Sequence, residues 1–154
     1  MSGPAERLAA LGLTLPPVTA PVATYVPALR TGPYVYVSGQ LPVVDGKLPA
    51  TGKVGDAVSA QDAAGLARAC ALNGLAAAAS VMGGLDGIRR IVKVVGFVAS
   101  APGFSGQPQV INGASEFLIE VFGEDGKHAR SAIGVAELPL NAPVEVEMIV
   151  EVRD

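Results

Sequence analysis

Residues 59–82 constrain this chain more than any other stretch. Alanine dominates the middle, and a helix with so few large side chains can approach a sheet or a neighbouring helix closely. Ser59, with Asp62 three residues on, resembles a capping box that opens such a helix. Gly83-Gly84 supplies its stop. A second helix follows Pro108, where Val110, Ile111, Ala114, Phe117, Leu118, Val121 and Phe122 recur at helical spacing and predict a buried face.

Strand signals surround these helices. Residues 24–30 read as extended, and Tyr34-Val35-Tyr36-Val37 is a β-rich run entering a turn or bulge at Ser38-Gly39-Gln40. Residues 42–55 carry a hairpin signal at Asp45-Gly46 and turns at Pro49 and Gly52. Residues 90–100 and 130–136 are strands, and residues 144–152 alternate as the last one. A short helix over residues 5–13 precedes them and ends at Leu15-Pro16-Pro17. The order predicts an α+β fold, one sheet with two helices on one face. A single domain is expected over residues 21–154, after an N-terminal extension at 1–20.

Hydrophobic residues make up 50% of the 154 positions and charged residues only 16%, so one subunit has more apolar surface than it can hide alone, and self-association is expected. A net charge of -3 argues against a protein that coats nucleic acid. One cysteine, Cys70, and one histidine, His128, rule out an internal disulfide and a zinc site made of Cys and His alone. No apolar run is long enough to span a bilayer, and residues 1–13 lack the pattern of a signal peptide. A cytoplasmic protein without a metal is the expectation.

Few residues stand out chemically. Arg130 opens a strand after a turn, and its planar fork suits a carboxylate, although by position alone a solvated strand-end arginine is the commoner case. Glu145, Glu147 and Glu151 share one strand face; such rows usually meet water, but a glutamate near Arg130 could position or deprotonate a water. His128 reads as a surface residue in a polar turn, and Cys70 as a packed small hydrophobe. Neither Gly83-Gly84 nor the glycines at 103 and 106 match a phosphate-binding motif.

The run Ala129-Arg130-Ser131-Ala132-Ile133-Gly134-Val135-Ala136-Glu137-Leu138-Pro139, followed by Val144-Glu145-Val146-Glu147, resembles the C-terminal signature of the Rid/YjgF family. Val37-Ser38-Gly39-Gln40-Leu41-Pro42 is similar to its N-terminal signature, and the long helix, Val92-Lys93-Val94-Val95-Gly96-Phe97-Val98 and Val110-Ile111-Asn112 fall between them in the family's order. The resemblance implies a chorismate-mutase-like mixed sheet backed by two helices, in a homotrimer with a central β-barrel. It also implies cofactor-free hydrolysis of reactive 2-imino or 2-enamino acids to 2-keto acids and ammonia, in clefts between subunits. The family's carboxylate-binding arginine falls on Arg130 and its water-orienting glutamate on Glu145; Tyr25, Gly39, Asn112 and Ala132 fall on its substrate-binding positions. Many members carry Cys or Ser where this chain has Ala132, which leaves only the main-chain carbonyl there. Other readings of the same fold are a small-carboxylate sensor without turnover, an endoribonuclease and a chorismate mutase. The single histidine and the absence of a basic patch count against RNA cleavage, and one well-placed arginine is too little for chorismate.

Overall fold

The computed structural model describes residues 2–18, 20–21 and 24–154. In chain order the elements are α1 (Pro4–Ala10), β1 (Ala28–Thr31), β2 (Tyr34–Gln40), α2 (Ala60–Ser80), β3 (Ile88–Ala99), α3 (Gln107–Phe122), β4 (Ala129–Val135) and β5 (Val144–Val152). The strands form one sheet in the order β1-β2-β5-β3-β4, with β3 and β4 parallel and every other pair antiparallel. The predicted α+β architecture is the one observed.

Local chemistry places the two long helices. Ser59 Oγ accepts the Asp62 backbone N–H at 3.1 Å and so caps α2. Beyond Ser80 the chain turns at Gly83 and Gly84, both with positive φ, and the Gly84 N–H donates to the Ala79 carbonyl at 3.1 Å. All seven apolar positions predicted for α3 are buried, as is Cys70 inside α2.

Three boundaries differ from expectation. The first helix ends at Ala10 and the chain turns at Gly12 (φ 75), so a glycine, and not the prolines beyond it, stops the helix. Regular pairing in the 24–30 segment begins only at Ala28. Asp45 and Gly46 do adopt left-handed φ values of 51 and 80, but the turn closes a single bridge between Val44 and Lys47. Pro42 and Pro49 flank it and cannot donate to a longer ladder.

Strand periodicity divides the sheet into two unlike faces. On β5, Val144, Val146, Met148, Val150 and Val152 are buried beneath the helices, together with Ile91, Val94 and Val98 of β3. Leu8 of α1 belongs to the same core. The opposite face carries Glu145, Glu147, Ile149 and Glu151, none of them fully buried, and the exposed Leu29, Tyr34, Tyr36 and Ile133. No element of the described chain covers that face.

Helix α3 can sit on α2 only because Gly113 has no side chain. A Cβ there would collide with the Ala64 carbonyl group. Gly113→Ala should therefore force α2 and α3 apart and cost about 1–3 kcal/mol, the range for overpacking. Gly65→Ala on exposed α2 surface meets nothing within 4 Å and should stabilise by about 0.5–1 kcal/mol through helix propensity. Denaturant unfolding of the two variants tests both signs.

Candidate functional site

The predicted site residues fall into two groups. The first is built at the β4 edge, on the helix-covered side of the sheet. Arg130 extends from β4 towards α3, where its Nη1 donates to Asn112 Oδ1 at 2.8 Å and to Ser115 Oγ at 3.2 Å. Both acceptors lie on α3, three residues apart and hence on one side of the helix. Nη2 makes a long contact of 3.5 Å to the Pro108 carbonyl. Among the described residues Nε has no partner and no carboxylate pairs with this guanidinium, so Nε and the second Nη2 hydrogen are free to donate.

His128 belongs to this group too. It is half-buried, not a free surface residue, with one ring nitrogen 3.0 Å from Ser115 Oγ and the other 2.6 Å from the Gly126 carbonyl. Burial pushes its pKa below 6.5; the Gly126 carbonyl opposes the shift and the Arg130 charge adds to it. A cleft of about 230 Å³ is lined by Ser115, Ile119, Lys127, His128 and Arg130.

The second group lies on the open face. A bulge in β2 between Val37 and Gln40 brings Gly39 against β5. A Cβ on Gly39 would strike the Glu145 carboxylate, so only glycine leaves that carboxylate in place. Burial raises the Glu145 pKa above 4.5, and neighbouring Glu147 adds to the effect. Beside it is a mainly apolar pocket of about 110 Å³, lined in part by Tyr25, Gly39, Leu41, Val43 and Leu140. Leu140 is held in a left-handed conformation (φ 58) and is 72% exposed.

One chain does not unite the two groups. Arg130 lies in register with Val94 and Met148, both buried under the helices. Glu145 is three residues from Met148 along β5, which places it on the opposite face. Two strand spacings and three residues of rise separate the two Cα positions by roughly 14 Å. Ala132 packs beside the core on the Arg130 side.

Two residues passed over in the sequence support these groups. Ser115 gave no signal there beyond its place one helical turn from Asn112. Asn73, buried in α2, donates from Nδ2 to the carbonyls of Leu41 and Val43, both at 3.0 Å, and pins the loop that walls the apolar pocket. A lone asparagine in an alanine-rich helix was the available clue.

The fold and these groups define a small α+β protein with an anchored arginine at a sheet edge and a half-buried carboxylate on the open face. Residues 5–152 match the family described as "YjgF/chorismate mutase-like, putative endoribonuclease". Protein TCP17 of Trypanosoma cruzi is 42% identical over 97% of this chain and 94% of its own length. The crystal structure of Atu1372 from Agrobacterium tumefaciens superposes with a TM-score of 0.90 at 48% identity, covering 97% of this chain and 92% of that one. A Shewanella oneidensis protein carrying the endoribonuclease description gives a TM-score of 0.94 at 32% identity over 97% and 99% of the two chains. TdcF of E. coli, crystallised with bound serine, gives 0.62 at 26% identity over 91% and 94%. The chain belongs to the YjgF/chorismate mutase-like family.

Asn73→Leu should leave the Leu41 and Val43 carbonyls without their donor and cost about 1–3 kcal/mol, as for a lost buried hydrogen-bond partner. Thermal unfolding measures the loss. Faster amide exchange confined to residues 41–44 would place it at the pocket wall.

Proposed function

We propose that this protein hydrolyses reactive 2-imino and 2-enamino acids to 2-keto acids and ammonia, at sites shared between subunits of a homotrimer. The observation that carries this reading is the division of the site. Arg130 offers an open donor edge and Glu145 a half-buried carboxylate, yet strand periodicity keeps them on opposite faces of one chain. A second copy, bringing its Glu145 pocket against the first copy's β4 edge, completes the pair. The open sheet face supports such packing, because Leu29, Tyr34, Tyr36 and Ile133 leave it apolar and uncovered within one chain.

The chemistry asks little more of the protein. Arg130 holds the substrate carboxylate by two parallel charge-assisted bonds from Nε and Nη2. An imine carbon beside a carboxylate is electrophilic once its nitrogen is protonated. Glu145 and the Ala132 main-chain carbonyl orient a water over that carbon, and Glu145 takes its proton as the C–O bond forms. The carbinolamine then collapses: Glu145 returns the proton to nitrogen, takes the hydroxyl proton as the C–N bond breaks and the C=O bond forms, and ammonia and the 2-keto acid leave. A carboxyl whose pKa is raised by burial suits a group that accepts and returns a proton. The 110 Å³ apolar pocket beside Gly39 limits the substrate side chain to a few carbons.

The test couples purified protein to a dehydratase that releases 2-aminoacrylate and follows keto-acid formation. Glu145→Gln should lower the rate about 100-fold or more, the usual worth of a general base, while pyruvate affinity stays nearly constant. Arg130→Lys should weaken pyruvate binding by about 1.5–3 kcal/mol, since lysine cannot form the two-pronged contact. Light scattering should give three times the chain mass. Binding without turnover, insensitive to Glu145→Gln, would make the protein a small-carboxylate sensor instead. RNA cleavage is disfavoured by the net charge of -3 and by a single histidine whose two ring nitrogens are both engaged.

A further inference from the structure

The hydrogen bonds around Arg130 run in one direction only. A guanidinium nitrogen can only donate, so Ser115 Oγ must accept from Arg130 Nη1 at 3.2 Å. A carbonyl oxygen can only accept, so the nitrogen 2.6 Å from the Gly126 carbonyl, Nδ1, must carry a hydrogen. In the neutral ring Nε2 is then unprotonated, and it accepts the Ser115 hydroxyl hydrogen across 3.0 Å. Every proton in the series Arg130, Ser115, His128, Gly126 is thereby assigned. With Asn112 Oδ1 at 2.8 Å taking the other Nη1 hydrogen, this nitrogen is fully occupied, and among the described residues the Nε–Nη2 edge has only the long Nη2 contact to the Pro108 carbonyl.

We propose that His128 is a positioning residue that acts through Ser115: as neutral imidazole it holds the serine as an acceptor for Arg130 Nη1, which presents the Nε–Nη2 edge to a substrate carboxylate. The inference rests on the reading of Arg130 as the carboxylate anchor. It adds a determinant of affinity that touches no substrate atom. It also makes that affinity depend on pH. A proton on Nε2 turns the acceptor into a donor, deprives the Ser115 hydroxyl of its partner and sets a second cation against Arg130. The other charged or titratable groups near the ring are Lys127, Arg90 of β3, Glu151 of β5 and Tyr34 of β2. Lys127 is drawn away to Glu124 at 2.8 Å. None of them offers Nε2 a hydrogen bond, so Ser115 is its partner among the described residues. Burial and the Arg130 charge hold the ring neutral at pH 7, and the acid change therefore falls below 6.5.

The experiment measures pyruvate affinity and imine-hydrolysis kinetics of the full chain for Ser115→Ala, Ser115→Thr, His128→Phe, the double variant Ser115→Ala/His128→Phe, and Arg130→Lys. Ser115→Ala and His128→Phe should each raise KM and the pyruvate Kd about 10-fold, the scale of one hydrogen bond to a charged group, with kcat nearly unchanged. Ser115→Thr keeps the hydroxyl and should keep the affinity. The double variant should be no weaker than the worse single one, because both break the same series. Wild-type affinity should fall as the pH is lowered through the His128 transition, and His128→Phe should remove that dependence. If Arg130→Lys leaves pyruvate binding unchanged, the anchor reading fails and this proposal with it. If Arg130→Lys weakens binding but Ser115→Ala and His128→Phe do not, the relay alone is wrong. Losses that multiply in the double variant would make the two effects independent and overturn it. So would a wild-type affinity that rises in acid, the mark of a simple cationic contact.

Discussion

The close crossing of α2 and α3 is the constraint on which the rest depends. Gly113 lets the α3 backbone rest on the Ala64 carbonyl. That crossing sets where α3 lies over the sheet. Asn112 and Ser115 flank Gly113, so the packing that closes the core also fixes the two acceptors that hold Arg130. On the same face of the sheet, α2 does similar work through Asn73, whose amide pins the Leu41 and Val43 carbonyls at the pocket wall. Core packing and site geometry are one problem here, because both helices carry polar residues at their buried margins.

The period of a β-strand explains why the site is divided. Side chains alternate faces, and Met148 in register with Arg130 is buried under the helices. Glu145, an odd number of residues away on the same strand, must point to the other face. No rotamer change brings the two together, since the sheet lies between them. Under the proposed reading this separation gives oligomerisation a chemical purpose: a subunit alone holds a donor edge and a carboxylate that cannot meet. The apolar open face then has two tasks, hiding hydrophobic area and aligning one copy's arginine with the next copy's glutamate.

Environment also differentiates chemically similar groups. Glu145 and Glu151 share a face, but Glu145 is pressed against Gly39 with its pKa raised, whereas Glu151 pairs with Arg89 at 3.4 Å at the surface. The bulge at β2 makes the difference, since it delivers the one residue small enough to sit against the Glu145 carboxylate. His128 shows the same principle. A histidine in a polar turn acquires a defined tautomer because the turn presents the Gly126 carbonyl on one side and α3 presents Ser115 on the other.

Local periodicity, capping and glycine stops make the α+β class, both long helices, the central strands and the seven buried positions of α3 readable in the chain, whereas the 42–55 hairpin signal closes only one bridge. The signature runs around Gly39, Arg130 and Glu145 were legible for the same reason: each is contiguous in the chain. Tertiary structure alone decided what these residues meet. Asn112 and Ser115 are 18 and 15 residues from Arg130, and Asn73 is 32 and 30 residues from the carbonyls it binds. No local pattern encodes such pairs; they form only when helices cross and strands take a register. The role of His128 in the Arg130 group and the placement of Arg130 and Glu145 on opposite faces belong to the same category. They depend on packing between elements, and residue spacing within one element does not carry that information.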